Sequence, residues 1–283
     1  MPELPEIETI AAGLRRRAVG LTIARIELFL PKLLRGDPAE LESFKGKRIT
    51  DVRRRGKMLL VDCGARHHLL FHLKMTGGFA RAPSGKPPDG HTRLRLVFRG
   101  PGRDLLFRDV RKFAFLRCLE TDTPLESHEL GRLGPEPLVC SAGDLAARLA
   151  GRKGRLKSLL LDQKFLSGIG NIYADEILFE ARLHPLTGAS SLRGRDAIVL
   201  HSAIRSVLAR AVAAGGSSIR DYKTDDGEEG FFQSQHRVYG REGEPCPRCG
   251  SGIRRMVVGS RGTHFCPRCQ RPRRRRSAAA RRN

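Results

Sequence analysis

Hydrophobic residues recur at helical spacing at the start of the chain and at strand spacing over the next hundred positions. Ile7, Ile10, Ala11 and Leu14 share one face of a predicted helix, which ends in a basic turn before Gly20. Alternation with a period of two then predicts short strands within 21–30, 49–62, 68–75, 93–99 and 105–119. Short strands separated by turn residues favour an antiparallel sandwich or barrel over parallel βαβ units.

Apolar residues return to helical spacing after residue 140. A turn-rich run at 133–138 marks a domain boundary, and the pattern beyond it predicts helices at 142–150, 156–164, 172–183 and about 195–214. A glycine-rich connection at 165–171 joins the second and third of these helices. Backbone amides at such a helix start suit a phosphate, although an ordinary helical hairpin turn fits equally well. The polar segment 217–230 is predicted to be a mobile loop.

The chain is strongly basic, with 53 Lys and Arg residues against 30 Asp and Glu residues and a formal net charge of +23. The arginine-rich stretch 271–283 supplies only part of this charge. Because backbone phosphates attract distributed Lys and Arg, nucleic acid is the expected partner. A membrane surface is the alternative, but no apolar run approaches the roughly 20 residues of a spanning helix, and the N-terminus lacks a signal-peptide core. We therefore expect a cytoplasmic protein.

Seven cysteines fall into two groups. Cys63, Cys118 and Cys140 are scattered in apolar surroundings and are expected to be buried thiols. The other four follow the C-x2-C … C-x2-C spacing of a four-thiolate zinc site, and they are Cys246, Cys249, Cys266 and Cys269. A pair of disulfides is the alternative, but nothing in the sequence indicates export. One structural Zn²⁺ is therefore predicted.

The N-terminal sequence Met-Pro-Glu-Leu-Pro-Glu allows two interpretations. If Met1 is removed, Pro2 carries a free secondary amine, and an α-amino pKa of about 8 leaves a usable fraction unprotonated near neutral pH. Such an amine attacks sugar or carbonyl carbons and forms an iminium, here with Glu3 and Glu6 as neighbouring carboxylates. Alternatively, Pro2 and Pro5 begin a helix whose positive end the glutamates favour. The pattern alone does not decide between them.

Seven short motifs stand in the order seen in bacterial formamidopyrimidine-DNA glycosylases, and the chain resembles that family from Met1 to Gln270. They are PELPE at 2–6, RGK at 55–57, HLKMTG at 72–77, DVRKF at 109–113, LGPEPL at 133–138, GNIYA at 170–174 and the four-cysteine finger. The resemblance implies a base-excision repair enzyme that removes oxidised purines, such as 8-oxoguanine and formamidopyrimidines, and then cleaves the strand as a lyase. It also implies an α+β fold, in which a two-layer antiparallel β-sandwich with flanking helices precedes a helical domain with a helix–two-turn–helix motif and a zinc finger.

The resemblance assigns chemical roles to five residues. Pro2, as the mature N-terminus, matches the nucleophile at C1′ of the damaged nucleotide, and Glu3 matches the general acid at the sugar ring oxygen. Lys57 matches a lysine that contacts phosphate and assists β-elimination. Arg261 matches a finger-tip arginine that supports δ-elimination. Glu6 matches a residue close to the flipped base.

Other residues match positions that handle the duplex. A base must leave the stack before it can be excised, and side-chain wedges offset the lost stacking. Met75, Arg111 and Phe113 match the family's void-filling trio, although strand alternation alone would place Met75 and Phe113 in the core. Further DNA-contacting positions are matched by His91, Arg152 and Asn171. The family pattern is broken at Lys74 and Ala114, where glycine is usual, and at Met58, where tyrosine is frequent.

The patterns and the resemblance together predict the organisation of the chain and its surroundings. The predicted divisions are a catalytic sandwich at 1–132, a linker at 133–140, a helix–two-turn–helix domain at 141–239, a zinc finger at 240–270 and a basic disordered tail at 271–283. The predicted partner is damaged double-stranded DNA. We expect a monomer in the bacterial cytoplasm, associated with the nucleoid.

Two other functions stay open at this point. An endonuclease VIII-like enzyme for oxidised pyrimidines has the same fold, although Leu4 and the long 217–230 segment favour the purine branch. A zinc-finger DNA-binding protein without catalysis is the other alternative. In that protein Met1 would be retained, and the nitrogen of Pro2 would be locked in an amide.

Overall fold

The computed structural model describes residues 1–100, 102–217 and 230–272. The chain forms two compact units, of which unit 1 comprises Met1–Leu133 and Arg210–Ser234 and unit 2 comprises Gly134–Ala209 and Gln235–Asn283. The domain limits predicted from the sequence stay a prediction. Positions 218–229 of the predicted mobile loop and positions 273–283 of the predicted tail lie outside the described residues.

Unit 1 contains a helix and two four-stranded antiparallel sheets. Helix α1 (Leu4–Ala18) comes first. The strands follow as β1 (Ile23–Leu28), β2 (Asp51–Arg55), β3 (Met58–Asp62), β4 (His67–His72), β5 (Gly77–Pro83), β6 (Thr92–Phe98), β7 (Arg103–Asp109) and β8 (Phe115–Glu120). One sheet has the order β1-β6-β7-β5 and the other β2-β3-β4-β8. Short 3-10 helices lie at Pro31–Leu33, Pro38–Phe44, Pro124–Glu126 and Phe232–Gln235.

The two sheets and α1 share one hydrophobic core, which makes unit 1 a sandwich. Phe71 of β4 meets Phe79 of β5 edge-on, with ring centroids 5.1 Å apart, and lies 5.3 Å from Phe107 of β7. The apolar stripe of α1, including Ile7 and Ile10, is buried in the same cluster. The alternation seen in the sequence therefore corresponds to side chains that point inward from facing sheets.

Turns interrupt three of the predicted strands. The strand predicted at 49–62 is a hairpin, because Gly56 has a φ of +58° and Arg55 pairs with Met58 across a two-residue turn. The strand predicted at 68–75 ends at His72, and Lys74 turns the chain with a φ of +53°. The stretch 105–119 is divided between β7 and β8, and Lys112 has a φ of +58° in the loop between them. Turn geometry therefore interrupts the hydrophobic alternation at all three places.

Unit 2 is helical and ends in a small hairpin. It contains α2 (Ala142–Leu149), α3 (Leu156–Leu161), α4 (Asn171–Glu180), β9 (Arg254–Val258) and β10 (Arg261–Phe265), with a 3-10 helix at Ala189–Ser191. Helix α5 (Gly194–Ala213) crosses the boundary between the units in the chain. Helix α3 is shorter than the predicted 156–164, since Gln163 instead closes the turn, donating to Ile169 O at 2.8 Å and accepting the Gly168 N–H at 2.9 Å.

The predicted buried thiols are found in part. Cys63 and Cys140 are buried, whereas Cys118 is partly exposed. Burial raises the pKa of both Cys63 and Cys118 to about 12, so neither thiol ionises near neutral pH. No helix among the described residues has the length and apolar character needed to cross a membrane.

Candidate active site and nucleic-acid interface

The N-terminal residues are held in place by the carboxylate of Glu6. Pro2 and Glu3 are buried just before α1. Glu6 Oε2 accepts the backbone N–H of Glu3 at 2.7 Å, and Glu6 Oε1 accepts the N–H of Ser217 at 2.7 Å. A Cβ on Gly216, whose φ is +80°, would lie 2.7 Å from Glu6 Oε1. Glu6 therefore joins the N-terminus to the residues that precede segment 218–229, a role that the sequence pattern did not predict.

Lys57 lies in the tight turn between β2 and β3, and arginines next to it fix that turn. Arg54 Nε donates to Glu8 Oε2 of α1 at 2.7 Å, and Arg54 Nη1 donates to the carbonyl oxygen of Gly56 at 3.2 Å. Arg55 Nη2 donates to Leu133 O at 3.1 Å. The helix that begins beside Pro2 and the turn that carries Lys57 are thus joined through one buried guanidinium. In the sequence these arginines belong to the basic run 53–55, and no pattern there predicts their contacts.

A cluster of positive charges surrounds His72 at the end of β4. Burial and, to a smaller extent, the charges of Lys74, Lys57 and Arg35 lower the pKa of His72 to about 3. His72 Nδ1 accepts the backbone N–H of Lys74 at 3.1 Å, which fits a neutral imidazole. The guanidinium of Arg35 lies 3.7 Å from the ring centroid of Phe115. This concentration of cations around a neutral ring suits a phosphate backbone.

The proposed void-filling side chains are exposed. Met75 is 41% exposed and Phe113 is 55% exposed, so the core positions favoured by strand alternation are wrong for both. The Arg111 guanidinium lies 4.9 Å from the centroid of the Phe113 ring, within range of a cation–π contact. His91 is also exposed, and its carbonyl oxygen accepts the N–H of Asp109 at 3.0 Å. The side chains of Met75, His91, Arg111 and Phe113 are therefore all exposed on the surface of unit 1, where a ligand can reach them.

In unit 2 the finger hairpin meets the start of α4. Asn171 is the first residue of α4, and its Nδ2 donates to the carbonyl oxygen of Gly262 at 3.0 Å. The buried Nζ of Lys157 donates to the same oxygen at 3.2 Å and pairs with Asp175. Arg261, immediately before Gly262, is exposed at the start of β10. The structure therefore brings Asn171 and Arg261 together, whereas Arg152 is exposed beyond the end of α2.

The four predicted metal ligands converge. The Sγ atoms of Cys246, Cys249, Cys266 and Cys269 all lie within 4.8 Å of one another. Cys246 Sγ and Cys269 Sγ are 3.9 Å apart, and Cys249 Sγ and Cys266 Sγ are 3.5 Å apart. A tetrahedron with Zn–S bonds of about 2.3 Å has edges of about 3.8 Å. The thiolate cage therefore fits one closed structural Zn²⁺.

Carboxylates of α4 bind the zinc finger and the residues just before it, at points outside the metal site. The buried Glu176 accepts backbone N–H bonds from Arg237, Val238 and Tyr239 at 2.9–3.1 Å. Glu180 pairs with Arg237 at 2.6 Å and with Arg248, between two of the cysteines, at 2.9 Å. No local sequence pattern indicates these contacts, because the partners lie about sixty residues apart.

Three family models match the chain in succession. The formamidopyrimidine-DNA glycosylase N-terminal domain matches residues 1–116, the H2TH domain of the same glycosylase matches residues 133–223, and a zinc finger found in FPG and IleRS matches residues 243–272. Together with the thiolate cage, the last match confirms the prediction of one structural zinc.

Full-length relatives agree with these matches. The chain is 46% identical to the formamidopyrimidine-DNA glycosylase of Solibacter usitatus, covering 95% of this chain and 99% of the relative, and 45% identical to that of Thermus thermophilus, covering 95% and 98%. A Lactococcus lactis FPG variant in complex with Fapy-dG-containing DNA aligns with a TM-score of 0.89 at 36% identity, over 95% of this chain and 100% of that one. A MutM complex with DNA containing carbocyclic 8-oxo-G aligns with a TM-score of 0.88 at 37% identity, over the same shares. The predicted fold class is confirmed.

Proposed function

Because the chain belongs to the formamidopyrimidine-DNA glycosylase family, as its motifs predicted, we propose that it is a base-excision repair glycosylase that removes oxidised purines from damaged double-stranded DNA. One observation carries the proposal. Pro2 and Glu3 lie at the start of α1, and the guanidinium of Arg54 joins that helix to the turn carrying Lys57. In this proposal the nucleophile, the acid and the phosphate-binding cation share one rigid support, as catalysis of this kind needs.

The proposed chemistry begins with the free amine of Pro2. Its nitrogen attacks C1′ as the bond from C1′ to the base breaks, and the base leaves with the proton that the amine loses. Glu3 protonates the sugar ring oxygen, so the ring opens and leaves the iminium. The resulting iminium acidifies the C2′ proton. Loss of that proton expels the 3′ phosphate, and a second elimination expels the 5′ phosphate. Lys57 and Arg261 hold the phosphates during these steps.

The remaining residues have positioning roles in this proposal. Met75, Arg111 and Phe113 fill the space left by the flipped nucleotide, and Glu6 borders the pocket that receives it. His91, Arg152 and Asn171 contact the DNA backbone. We further propose that the protein acts as a monomer and that it works at the bacterial nucleoid.

Borohydride trapping tests the proposal against both alternatives. The protein is incubated with duplexes that carry an 8-oxoguanine or an oxidised pyrimidine, and the adduct is located by peptide mapping. We expect trapping mainly on the purine duplex, with the sugar on residue 2. The matched control carries one extra residue before Pro2, which turns the amine into an amide and should abolish trapping.

Three results would contradict the proposal. Preferential trapping on the pyrimidine duplex would favour the endonuclease VIII-like alternative. An adduct on Lys57 would show that Pro2 is not the nucleophile. A mature protein whose intact mass includes Met1, and which forms no adduct, would be a DNA-binding protein without catalysis.

A further inference from the structure

The carboxylate of Asp109, at the end of β7, binds two loops that carry proposed void-filling residues. The side chain is buried, with 1% of its surface exposed. Its Oδ1 accepts the hydroxyl of Thr76 and the backbone N–H of Arg111, the latter at 3.2 Å, and its Oδ2 accepts the N–H of Ala114 at 2.9 Å. The Arg111 N–H also lies 3.1 Å from Thr76 Oγ1. Thr76 directly follows Met75, and the segment from Arg111 to Ala114 contains Phe113.

The backbone of Asp109 contacts a third segment. Its N–H donates to the carbonyl oxygen of His91 at 3.0 Å, and its own carbonyl accepts Arg93 Nε at 2.8 Å. The buried Arg93 donates in turn to Gly90 O at 3.0 Å. Asp109 is therefore the common anchor of the three segments of unit 1 that bear Met75, His91 and Phe113.

Both loops have backbone conformations that need such an anchor. Lys74 and Lys112 have φ values of +53° and +58°, in a region that residues other than glycine rarely adopt. Phe113 is more than half exposed, so packing in the core does not hold its ring. Hydrogen bonds to a buried carboxylate are among the stronger ones available, and they hold the loops in this conformation.

We propose that Asp109 is a positioning residue for base extrusion, which sets Met75, Arg111 and Phe113 in the arrangement that fills the vacated space in the duplex. The inference rests on the proposed function. Asp109 touches neither substrate nor reacting atoms in this role, and it acts only through the two loops. Its loss should therefore impair the step in which a paired base leaves the stack, and spare the chemistry at a sugar that has no base.

The test is Asp109→Asn, with Asp104→Asn as the matched control. Asparagine has the same shape but replaces one carboxylate oxygen with an NH₂ group, which must oppose a backbone N–H. Asp104 is another buried aspartate, near the opposite end of β7, where it accepts the Ser84 hydroxyl at 3.0 Å. We expect Asp109→Asn to lower excision of a paired 8-oxoguanine by about tenfold or more. Cleavage of a preformed abasic site and affinity for undamaged duplex should change less than about twofold. Asp104→Asn should have only a small and similar effect on excision of the paired lesion, cleavage of the abasic site and affinity for undamaged duplex.

A double-mutant cycle makes the test independent of general destabilisation. In a Phe113→Ala background, Asp109→Asn should cause a smaller further loss of excision than it causes alone, because one of the three side chains through which it acts is already gone. If Asp109→Asn does not fold, Thr76→Val removes one hydroxyl from the same network and should reproduce the selective loss. Equal losses on the paired lesion and the abasic site, or fully additive losses in the cycle, would overturn the inference. Failure of the proposed function is distinct, since the wild-type protein would then excise no oxidised purine.

Discussion

Replacing Glu6 with glutamine tests how the N-terminus is held. Glu6 is 2% exposed, and each of its carboxylate oxygens accepts one backbone N–H at 2.7 Å, from Glu3 and from Ser217. Glutamine keeps the length and shape of the side chain but offers a single acceptor oxygen. Its NH₂ group must then face one of these two donors, so a buried N–H loses its partner.

The expected cost follows from those two bonds. Hydrogen bonds to a charged group contribute about 1.5–3 kcal/mol each, and a buried unsatisfied donor costs about 1–3 kcal/mol. Glu6→Gln weakens one bond and breaks the other, so we expect a loss of about 2–4 kcal/mol in the free energy of unfolding of unit 1. For a chain of this size, each kcal/mol lowers the melting temperature by about 2–4 °C. The expected shift is therefore on the order of 10 °C.

Thermal and urea unfolding of both proteins measure this loss, with Glu8→Gln as the control. Glu8 lies on the same helix and pairs with the largely buried Arg54, but the oxygen of a glutamine at position 8 still accepts the Arg54 N–H, so a smaller loss of about 1 kcal/mol is expected. Borohydride trapping should also fall in Glu6→Gln, because the hydrogen bond from the Glu3 N–H beside Pro2 is then weakened or lost. A Glu6→Gln protein as stable as Glu8→Gln would refute the assigned hydrogen bonds.

Other parts of the chain give further predictions. Chelation or Cys249→Ser should remove one zinc per chain and abolish DNA binding while leaving the circular dichroism of the sandwich intact, and a zinc-free protein of full affinity would contradict the structural metal. The pKa of His72 is about 3 in the folded protein and about 6.5 in the unfolded chain. Between these pH values only the unfolded chain binds the proton. This histidine therefore lowers the free energy of unfolding by about 1.4 kcal/mol for each pH unit as the pH falls from 6.5 towards 3. His72→Gln should remove that slope, and an imidazole that titrates by NMR above pH 5 would argue against it. Lys57→Ala and Arg261→Ala should each weaken binding to damaged and undamaged duplex alike and lower the salt slope by about one charge. Phe113→Ala should spare binding to undamaged duplex but reduce excision, and an equal effect on both would exclude a wedge.

Local patterns predicted most elements of the fold, but they missed β5, β9 and β10, and the other errors occurred at turns. The alternation of residues 49–62 continues through Gly56, so only the positive φ there shows that two strands are present. The cysteine spacing predicted the metal site because all four ligands come from two short motifs close together in the chain. Glu6 and Asp109 could not be understood in this way. Their partners are backbone N–H groups, which every sequence contains, and Ser217 is separated from Glu6 by 211 positions.

The carboxylates of α4 also bear on what oxidation does to the finger. Zinc thiolates are oxidised by the same agents that damage purines, so a repair enzyme of this family works where its own metal site is at risk. Asp175, Glu176 and Glu180 hold the segment around the ligands through hydrogen bonds that involve no sulfur. These contacts do not depend on the metal, so oxidation of a thiolate leaves them chemically intact.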